Sequence, residues 1–498
     1  MRTIDRRLAI AAVLGLGLLA LLAGLPERSL NTDEVFLPLA ARHGDLLGAV
    51  TADIHPPAYA LLVGAVTAAD LPEPFWRLLS ALFWLATAYL TYRLGLMLDR
   101  EKTGVLAMTL LVASPLGFQA GRLVRSYASA ALLGAVIFCL VAAHLRKPSR
   151  GRALALGVVL ALGCYTFYYH LYLLAAIGVL GLCLLRRGHA AGRGIIGAAL
   201  LAGLLFAPWL PELFGRFGEL GGGWVQWSAS PLRIVRRVGQ IVAAVGGLGG
   251  MEPALRAVLP AVAGALATLI SLTLALVGTL ILWRSTIARV LVGLTALTIG
   301  FALGAHYLVG AFVGLPYFLV LAPPLALVVA APFAVNRARF AIGVVFALVL
   351  AVNLLAWPTA ARQGDEPLRP ASEWIDAHLG DDGLVLGVAW FAVDGYRYYG
   401  AGREAVGVPY DLRPGAPVRR VQDGLVAPDD LRRLEKRLVG AGRVALLLTH
   451  TTWRGQDRGE RAVQDTLRAA GFVRIREQAW PRLISSPTVR AEIWKQAG

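Results

Sequence analysis

A chain of 498 residues that is 57% hydrophobic, at a mean hydropathy of +0.63, is too apolar for a soluble globular protein, where the share is about 45–50%. A formal net charge of +17 would suit a nucleic-acid partner. Much of that excess instead lies in short loops between apolar runs, where membrane orientation puts it, so nucleic acid is not the expected partner.

The chain opens with MRTIDRR before the apolar run Leu8–Leu25. The charge order is that of a signal peptide, but the run is long and no A-x-A-like site follows, so an uncleaved first span is predicted. Further spans are predicted at about 75–98, 103–119, 127–145, 153–167, 168–185, 194–210, 255–283, 288–305, 316–334 and 339–358, near the ~20 residues a bilayer requires. Cys139, Cys164 and Cys183 fall inside these runs and offer neither a disulfide framework nor a metal spacing.

The segment 57–71 holds only about 14 apolar-leaning residues, short for a crossing. If it does not cross, the loops carrying Arg93/Arg100/Lys102, Arg146/Lys147/Arg150/Arg152, Arg186/Arg187/Arg193, Arg284/Arg289 and Arg337/Arg339 all share the cytoplasmic side with the N-terminal Arg2, Arg6 and Arg7. If it does, every one of them flips outward. The positive-inside rule favours the first choice, giving about eleven crossings with 57–71 as an interfacial or re-entrant helix.

That topology puts Asn31–Tyr59, Gly117–Tyr127, Thr166–His170, Trp209–Gly250 and Ala305–Tyr317 on the outer face. Asp33, Glu34, Asp53, His55, Arg122, Arg125, His170 and His306 go with them. The long loop near 209–254 contains Gly221-Gly222-Gly223 between aromatic residues, then Pro231–Val245. There Arg233, Arg236, Arg237 and Gln240 oppose Leu232, Ile234, Val235, Val238, Ile241 and Val242 at the spacing of an amphipathic interfacial helix. Its arginines suit either anchoring or lipid phosphate.

After Trp357-Pro358 the composition changes. Helical runs at Pro370–Leu379, Pro428–Leu438 and Arg461–Ala470 alternate with strand-like runs at Leu384–Trp390, Val444–Thr449 and Phe472–Gln478. The expected architecture is a multi-pass α-helical membrane domain, 1–361, followed by a small extracytoplasmic α/β domain, 362–498. No G-x-G-x-x-G follows a strand and no P-loop occurs.

Several motifs combine a structural meaning with a chemical one. Asp33-Glu34 follows Asn31-Thr32, a helix cap with acids in the first turn; a carboxylate pinned there beside a membrane cavity also suits a general base. Asp53-Ile54-His55-Pro56-Pro57 reads as a helix start, with Asp53 or His55 as its cap. The ligand types of Asp33, Asp53 and His55 are compatible with a divalent ion such as Mg²⁺ or Mn²⁺, though their spacing does not require one. Arg122, Arg125 and Tyr127 begin a span. They fit snorkelling and an interfacial belt, and the two arginines, on one helix face, also fit a phosphate. Tyr165–His170 is an aromatic run ending in a histidine, an interfacial belt or a sugar-facing wall.

Taken together, TDE after the first span, D-x-HPP-x-Y, RLLSALFW, SPLGFQAGRLVRSYA and APWLP resemble glycosyltransferase family 39 in order and spacing over roughly residues 5–230. This group holds the protein O-mannosyltransferases and the lipid A aminoarabinose transferase, within the membrane-embedded GT-C superfamily. The resemblance implies a polyprenyl-phosphate sugar donor, an acceptor hydroxyl on protein, glycolipid or polysaccharide, and inverting transfer at the outer face of the cytoplasmic membrane. Asp33 matches the acid that deprotonates the acceptor, and Glu34 its support. Asp53 and His55 match the element shaping the site, and Arg77 the arginine opening the second span. Arg122, Arg125 and Tyr127 match the basic-aromatic motif near the donor phosphate, while His170 is carried as a further substrate-side candidate. Many relatives open a late span with Arg-Tyr, whereas here Pro316 precedes Tyr317. Competing readings are a lipid or sugar translocase, disfavoured by acids in loops and the absence of a repeat, and a scaffold whose outer domain binds a partner.

Overall fold

The computed structural model describes residues 3–25, 28–42, 55–69, 71–215, 230–311, 313–335, 339–362, 366–381, 383–388, 390–408, 426–449, 456–480 and 489–497. Asp53 and the glycine run at 221–223 lie outside the described residues. The chain divides into two compact units. One comprises Met1–Leu25, Asp53–Tyr59 and Pro72–Ala360; the other comprises Pro26–Ala52, Ala60–Leu71 and Ala361–Gly498.

The first unit is helical. Among the described residues of the chain, seven helices are long and apolar enough to cross a membrane, including Tyr127–Arg146, Tyr169–Arg186, Thr286–Val309 and Phe340–Arg362. Their outward residues are apolar rather than polar: Leu200, Leu204, Leu269, Phe340 and Leu355 are all exposed. A water-soluble bundle would not leave so much contiguous apolar surface uncovered. This is a multi-pass helical membrane protein with a C-terminal α/β sheet.

Proline accounts for most places where helices depart from the predicted spans, because it has no N–H and disfavours helix in the residue before it. The run 103–119 becomes Glu101–Ala113 and a short helix Pro115–Ala120, with Ser114 Oγ capping Gly117 N. The run 255–283 divides into Met251–Val258 and Ala263–Leu282 around Pro260. The run 316–334, with Pro316, Pro323, Pro324 and Pro332, is a 3₁₀ segment Leu315–Leu321, an α-helix Ala322–Ala330 and a second 3₁₀ turn Ala331–Ala334. Pro57–Ala68 is a helix of 12 residues. At 1.5 Å per residue it spans about 18 Å, less than the ~30 Å hydrocarbon core. The amphipathic stretch is a helix over Pro231–Val245, as its periodicity predicts.

One close approach matters for the site. A Cβ on Gly134 would come within 2.2 Å of Val320 O, so only glycine lets the Tyr127–Arg146 helix lie against the backbone of Leu315–Leu321. Tyr127 and Tyr317 are brought to the same level by this contact, their ring centroids 6.0 Å apart.

The second unit holds a five-stranded sheet: β1 (Leu384–Val388), β2 (Ala405–Val408), β3 (Arg443–Leu448), β4 (Phe472–Trp480) and β5 (Val489–Gln496), in the order β2-β1-β3-β5-β4. β1 pairs parallel with β2 and β3, while β5 runs antiparallel to β3 and β4. Alternation along β1 and β3 supplies two cores. Leu384, Leu386, Val388, Val444, Leu446 and Leu448 pack with Leu434, Leu438, Val463 and Leu467 of helices Pro428–Leu438 and Gln456–Ala469. Val385, Ala445 and Leu447 face the opposite way, against Leu368, Ile375 and Tyr396 of helices Leu368–Leu379 and Trp390–Tyr399. Helices therefore cover both faces of the parallel strands. The helix Trp390–Tyr399 and strands β2 and β5 are absent from the sequence prediction.

Candidate active site

In the second unit, the acidic pair begins the helix Thr32–Arg42. A helix N-terminus leaves backbone N–H groups without partners, and Asn31 and Glu34 resolve this reciprocally. Asn31 Oδ1 accepts from Glu34 N at 2.9 Å, and Glu34 Oε2 accepts from Asn31 N at 3.0 Å. Glu34 is consequently 1% exposed. Asp33, one residue earlier in the same turn, is exposed. The two neighbouring acids thus occupy different environments: Glu34 closes the cap, and Asp33 projects from it.

The basic residues belong to the first unit, and they also differ among themselves. Arg77 is fully buried in the helix Glu73–Met97 and donates from Nη1 to Leu25 O at 3.2 Å. Arg122 Nη1 points at Ala20, Leu21 and Ala23 carbonyl oxygens at 3.3, 3.0 and 2.7 Å. These carbonyls end the helix Thr3–Leu22, so Arg122 serves that helix as a C-terminal cap, where positive charge suits the dipole. Its guanidinium also lies 5.1 Å from the Phe118 ring.

Arg125 takes a third environment. It is half-buried, its Nη2 lies 3.4 Å from His55 Nε2, and its guanidinium lies 5.9 Å from the Tyr127 ring. A guanidinium only donates, so the contact is a hydrogen bond when His55 Nε2 carries its lone pair. Tyr127 meets Phe167 at 6.0 Å and Tyr317 at 6.0 Å, and Tyr317 in turn meets Phe167 and Tyr169 at 5.2 and 5.3 Å. The structure therefore gathers His55, Arg125, Tyr127 and Tyr317 with the aromatic run, a basic group beside an aromatic wall. Such a set suits a phosphate next to an apolar or sugar-bearing group.

His170 is elsewhere in character. It is fully buried, its Nδ1 is 3.2 Å from Phe167 O, and a Cβ on Gly163 would lie 2.6 Å from its ring. Its ring is packed flush on the neighbouring helix Arg150–Thr166 rather than presented at a surface. Among the described residues no three His, Cys, Asp or Glu side chains gather as a metal site. Asp33 and His55 belong to different units, and Asp53 is outside the described residues.

No protein-family model matches this chain, and no curated protein matches it by sequence. Solved structures do. ArnT from Cupriavidus metallidurans in the apo state superposes with a TM-score of 0.60 at 14% identity, covering 97% of each chain. The same protein bound to undecaprenyl phosphate gives a TM-score of 0.57 at 14% identity, again covering 97% of each chain. The chain has the GT-C fold. That fold holds end to end, through the membrane helices and the C-terminal sheet alike, although only about one residue in seven is shared.

Two residues that contact the acid helix were invisible to sequence reasoning. Glu366 Oε2 accepts from Thr32 N at 2.9 Å, and the Tyr399 hydroxyl accepts from Leu30 N at 2.7 Å. Nothing local marks them. Glu366 sits in QGDEPL and Tyr399 in YRYYG, and only the tertiary fold gives either a partner.

Proposed function

We propose that this protein is a membrane glycosyltransferase that moves a hexose or pentose from a polyprenyl-phosphate donor to an acceptor hydroxyl, with inversion. The reaction takes place at the outer face of the cytoplasmic membrane, with the N-terminus cytoplasmic and the C-terminal domain outside. The observation that carries this reading is the full-length GT-C correspondence, which extends to an ArnT crystallised with undecaprenyl phosphate.

The chemistry asks for three things, and residues of suitable type are available for each. The acceptor oxygen attacks the anomeric carbon while the bond from that carbon to the phosphate oxygen breaks. The acceptor proton goes to a carboxylate, and polyprenyl phosphate departs with the bonding pair. Asp33 is the proposed base, because it is the exposed member of the acid pair, and Glu34 supports it by closing the cap. Arg125, with His55 beside it, is the proposed contact for the leaving phosphate, where fixed positive charge stabilises the transition state more than the ground state. Tyr127 and Tyr317 line the adjoining aromatic wall. Arg77 and Arg122 act on the backbone of the first span rather than on the donor, and Asp53 remains a candidate from the resemblance alone.

The purified protein is to be incubated with a panel of polyprenyl-phosphate sugars and candidate acceptors, with and without chelator, and the free polyprenyl phosphate measured. Release coupled to glycosylated acceptor is the expected result. Movement of the lipid across a liposome bilayer with no transfer to any acceptor would make the chain a translocase instead.

A further inference from the structure

Three consecutive backbone N–H groups lead into the Thr32–Arg42 helix, and each has a different acceptor. Leu30 N donates to the Tyr399 hydroxyl at 2.7 Å, Asn31 N to the Glu34 carboxylate at 3.0 Å, and Thr32 N to the Glu366 carboxylate at 2.9 Å. Only the middle acceptor is local. Glu366 and Thr32 are 5% and 8% exposed and Leu30 is fully buried, so water is a poor substitute for either distant partner. A buried donor left without its acceptor is destabilising, because it has lost its water and gained nothing in return.

The same C-terminal segment grips the helix in other ways. Arg369 N donates to Ser29 Oγ at 3.1 Å, just ahead of the cap. At the far end of the helix, Arg42 Nη2 donates to the Tyr398 hydroxyl at 3.0 Å, and its guanidinium lies 4.1 Å from that ring's centroid. The helix carrying Tyr398 and Tyr399 is itself anchored. Tyr396 donates its hydroxyl to Asp376, and burial followed by that hydrogen bond pushes its pKa up, so it stays a protonated donor.

We infer that Glu366 and Tyr399 are positioning residues for Asp33: by holding the N–H groups of Thr32 and Leu30 they fix the turn from which the Asp33 carboxylate projects. The C-terminal α/β region is then part of the catalytic apparatus rather than an accessory that binds acceptor. Thr32 is the residue immediately before Asp33, so any rotation of its peptide displaces the base. A displacement near 1 Å is enough to cost about 10²-fold in rate. This inference rests on the assignment of Asp33 as the base.

The test uses the full-length protein in detergent, with Glu366→Ala, Glu366→Gln and Tyr399→Phe beside Asp33→Asn. Glu366→Ala is expected to lower kcat about 10- to 100-fold, with binding of undecaprenyl phosphate unchanged and faster hydrogen exchange at the Leu30–Glu34 amides. Glu366→Gln should recover to within about fivefold, since an amide oxygen still accepts but without the added strength of charge. Tyr399→Phe should lose about 3- to 10-fold, the worth of one neutral hydrogen bond. Normal turnover and exchange in Glu366→Ala and Tyr399→Phe, with Asp33→Asn inactive, would overturn the positioning role and leave the base in place. Normal turnover in Asp33→Asn would remove the base assignment and the positioning role with it. A joint loss of kcat and lipid binding that glutamine does not restore would reduce Glu366 to a general folding contact, which also overturns the inference.

Discussion

The stretch after the first apolar helix and the stretch before the helix Tyr127–Arg146 each carry a pair of like charges, and the fold treats the two pairs alike. Asp33-Glu34 stands at the start of a helix, and Arg122 and Arg125 stand in the turn that precedes the helix Tyr127–Arg146. In each pair one member satisfies orphan backbone groups: Glu34 accepts from the N–H of Asn31, and Arg122 donates to the carbonyls of Ala20, Leu21 and Ala23. The other member, Asp33 or Arg125, is left facing outward or toward a side chain, exposed in one case and against His55 in the other. Helix ends demand partners of opposite polarity at their two termini, so the acid closes the N-terminus and the base the C-terminus. The other member of each pair is the one proposed above for the chemistry.

The largest expected effect tests the acid pair. Asp33→Asn should reduce transfer from a polyprenyl-phosphate sugar by about 10²- to 10⁴-fold, the range for a lost general base, with the protein still folded. Comparable turnover in that variant and the unaltered protein would end the distinction drawn between Asp33 and Glu34. The basic pair gives the next effect. Arg125→Ala should slow transfer about 10- to 100-fold, as expected for a lost hydrogen bond to a charged phosphate, and the rate with lipid-phosphate donor is the quantity to compare. An undiminished rate would return Arg125 to a snorkelling side chain. The smallest effect on catalysis, and the clearest on stability, is expected from Arg122→Ala. Removing the C-terminal cap should destabilise the protein by about 1–3 kcal/mol, read as a lowered thermal midpoint in detergent, while turnover of the protein that remains folded changes little. Should Arg122→Ala instead abolish donor turnover without lowering the midpoint, the two arginines have been assigned the wrong way round.

Much of the fold could be read in advance because its signals are local. The Pro231–Val245 helix announces itself by arginines and aliphatic residues on opposite faces. Leu384–Val388 and Arg443–Leu448 announce themselves as short runs of β-branched and aliphatic residues bounded by glycine. Other elements fail this test for identifiable reasons. WFAVDGYRYY is aromatic-rich with a central glycine and forms a helix through its packing, with Ala392 and Tyr396 in the sheet core. AVGV is only four residues long. VRAEIWKQ hides its strand character behind Glu492, whose fully buried carboxylate accepts from Gln464, Arg474 and Trp494. A charged residue on the inward face defeats any pattern based on hydrophobicity. The candidate site divides the same way. Asp33 and Glu34 are visible as acids at a cap, and Arg122 and Arg125 as arginines ahead of a span, but the shared helix face expected for the two arginines does not form, because Gly121–Ser126 is turn and bend and the helix begins only at Tyr127. Which member of each pair serves a helix end, and the contribution of Glu366 and Tyr399, depend on distances that no local window contains.

The hydrogen bond between Thr32 and Glu366 bridges 334 positions along the chain. At a synthesis rate of about 5–20 residues per second, roughly 17–67 s pass between the making of one partner and the other. For that interval the start of the acid helix exists without one of its acceptors, while the whole bundle of membrane helices is being threaded into the bilayer. A nascent chain interrupted before residue 366 would therefore reach the membrane with most of its spans and an unfinished helix cap, and protection of that turn against proteolysis should arise only at the last stage of biogenesis.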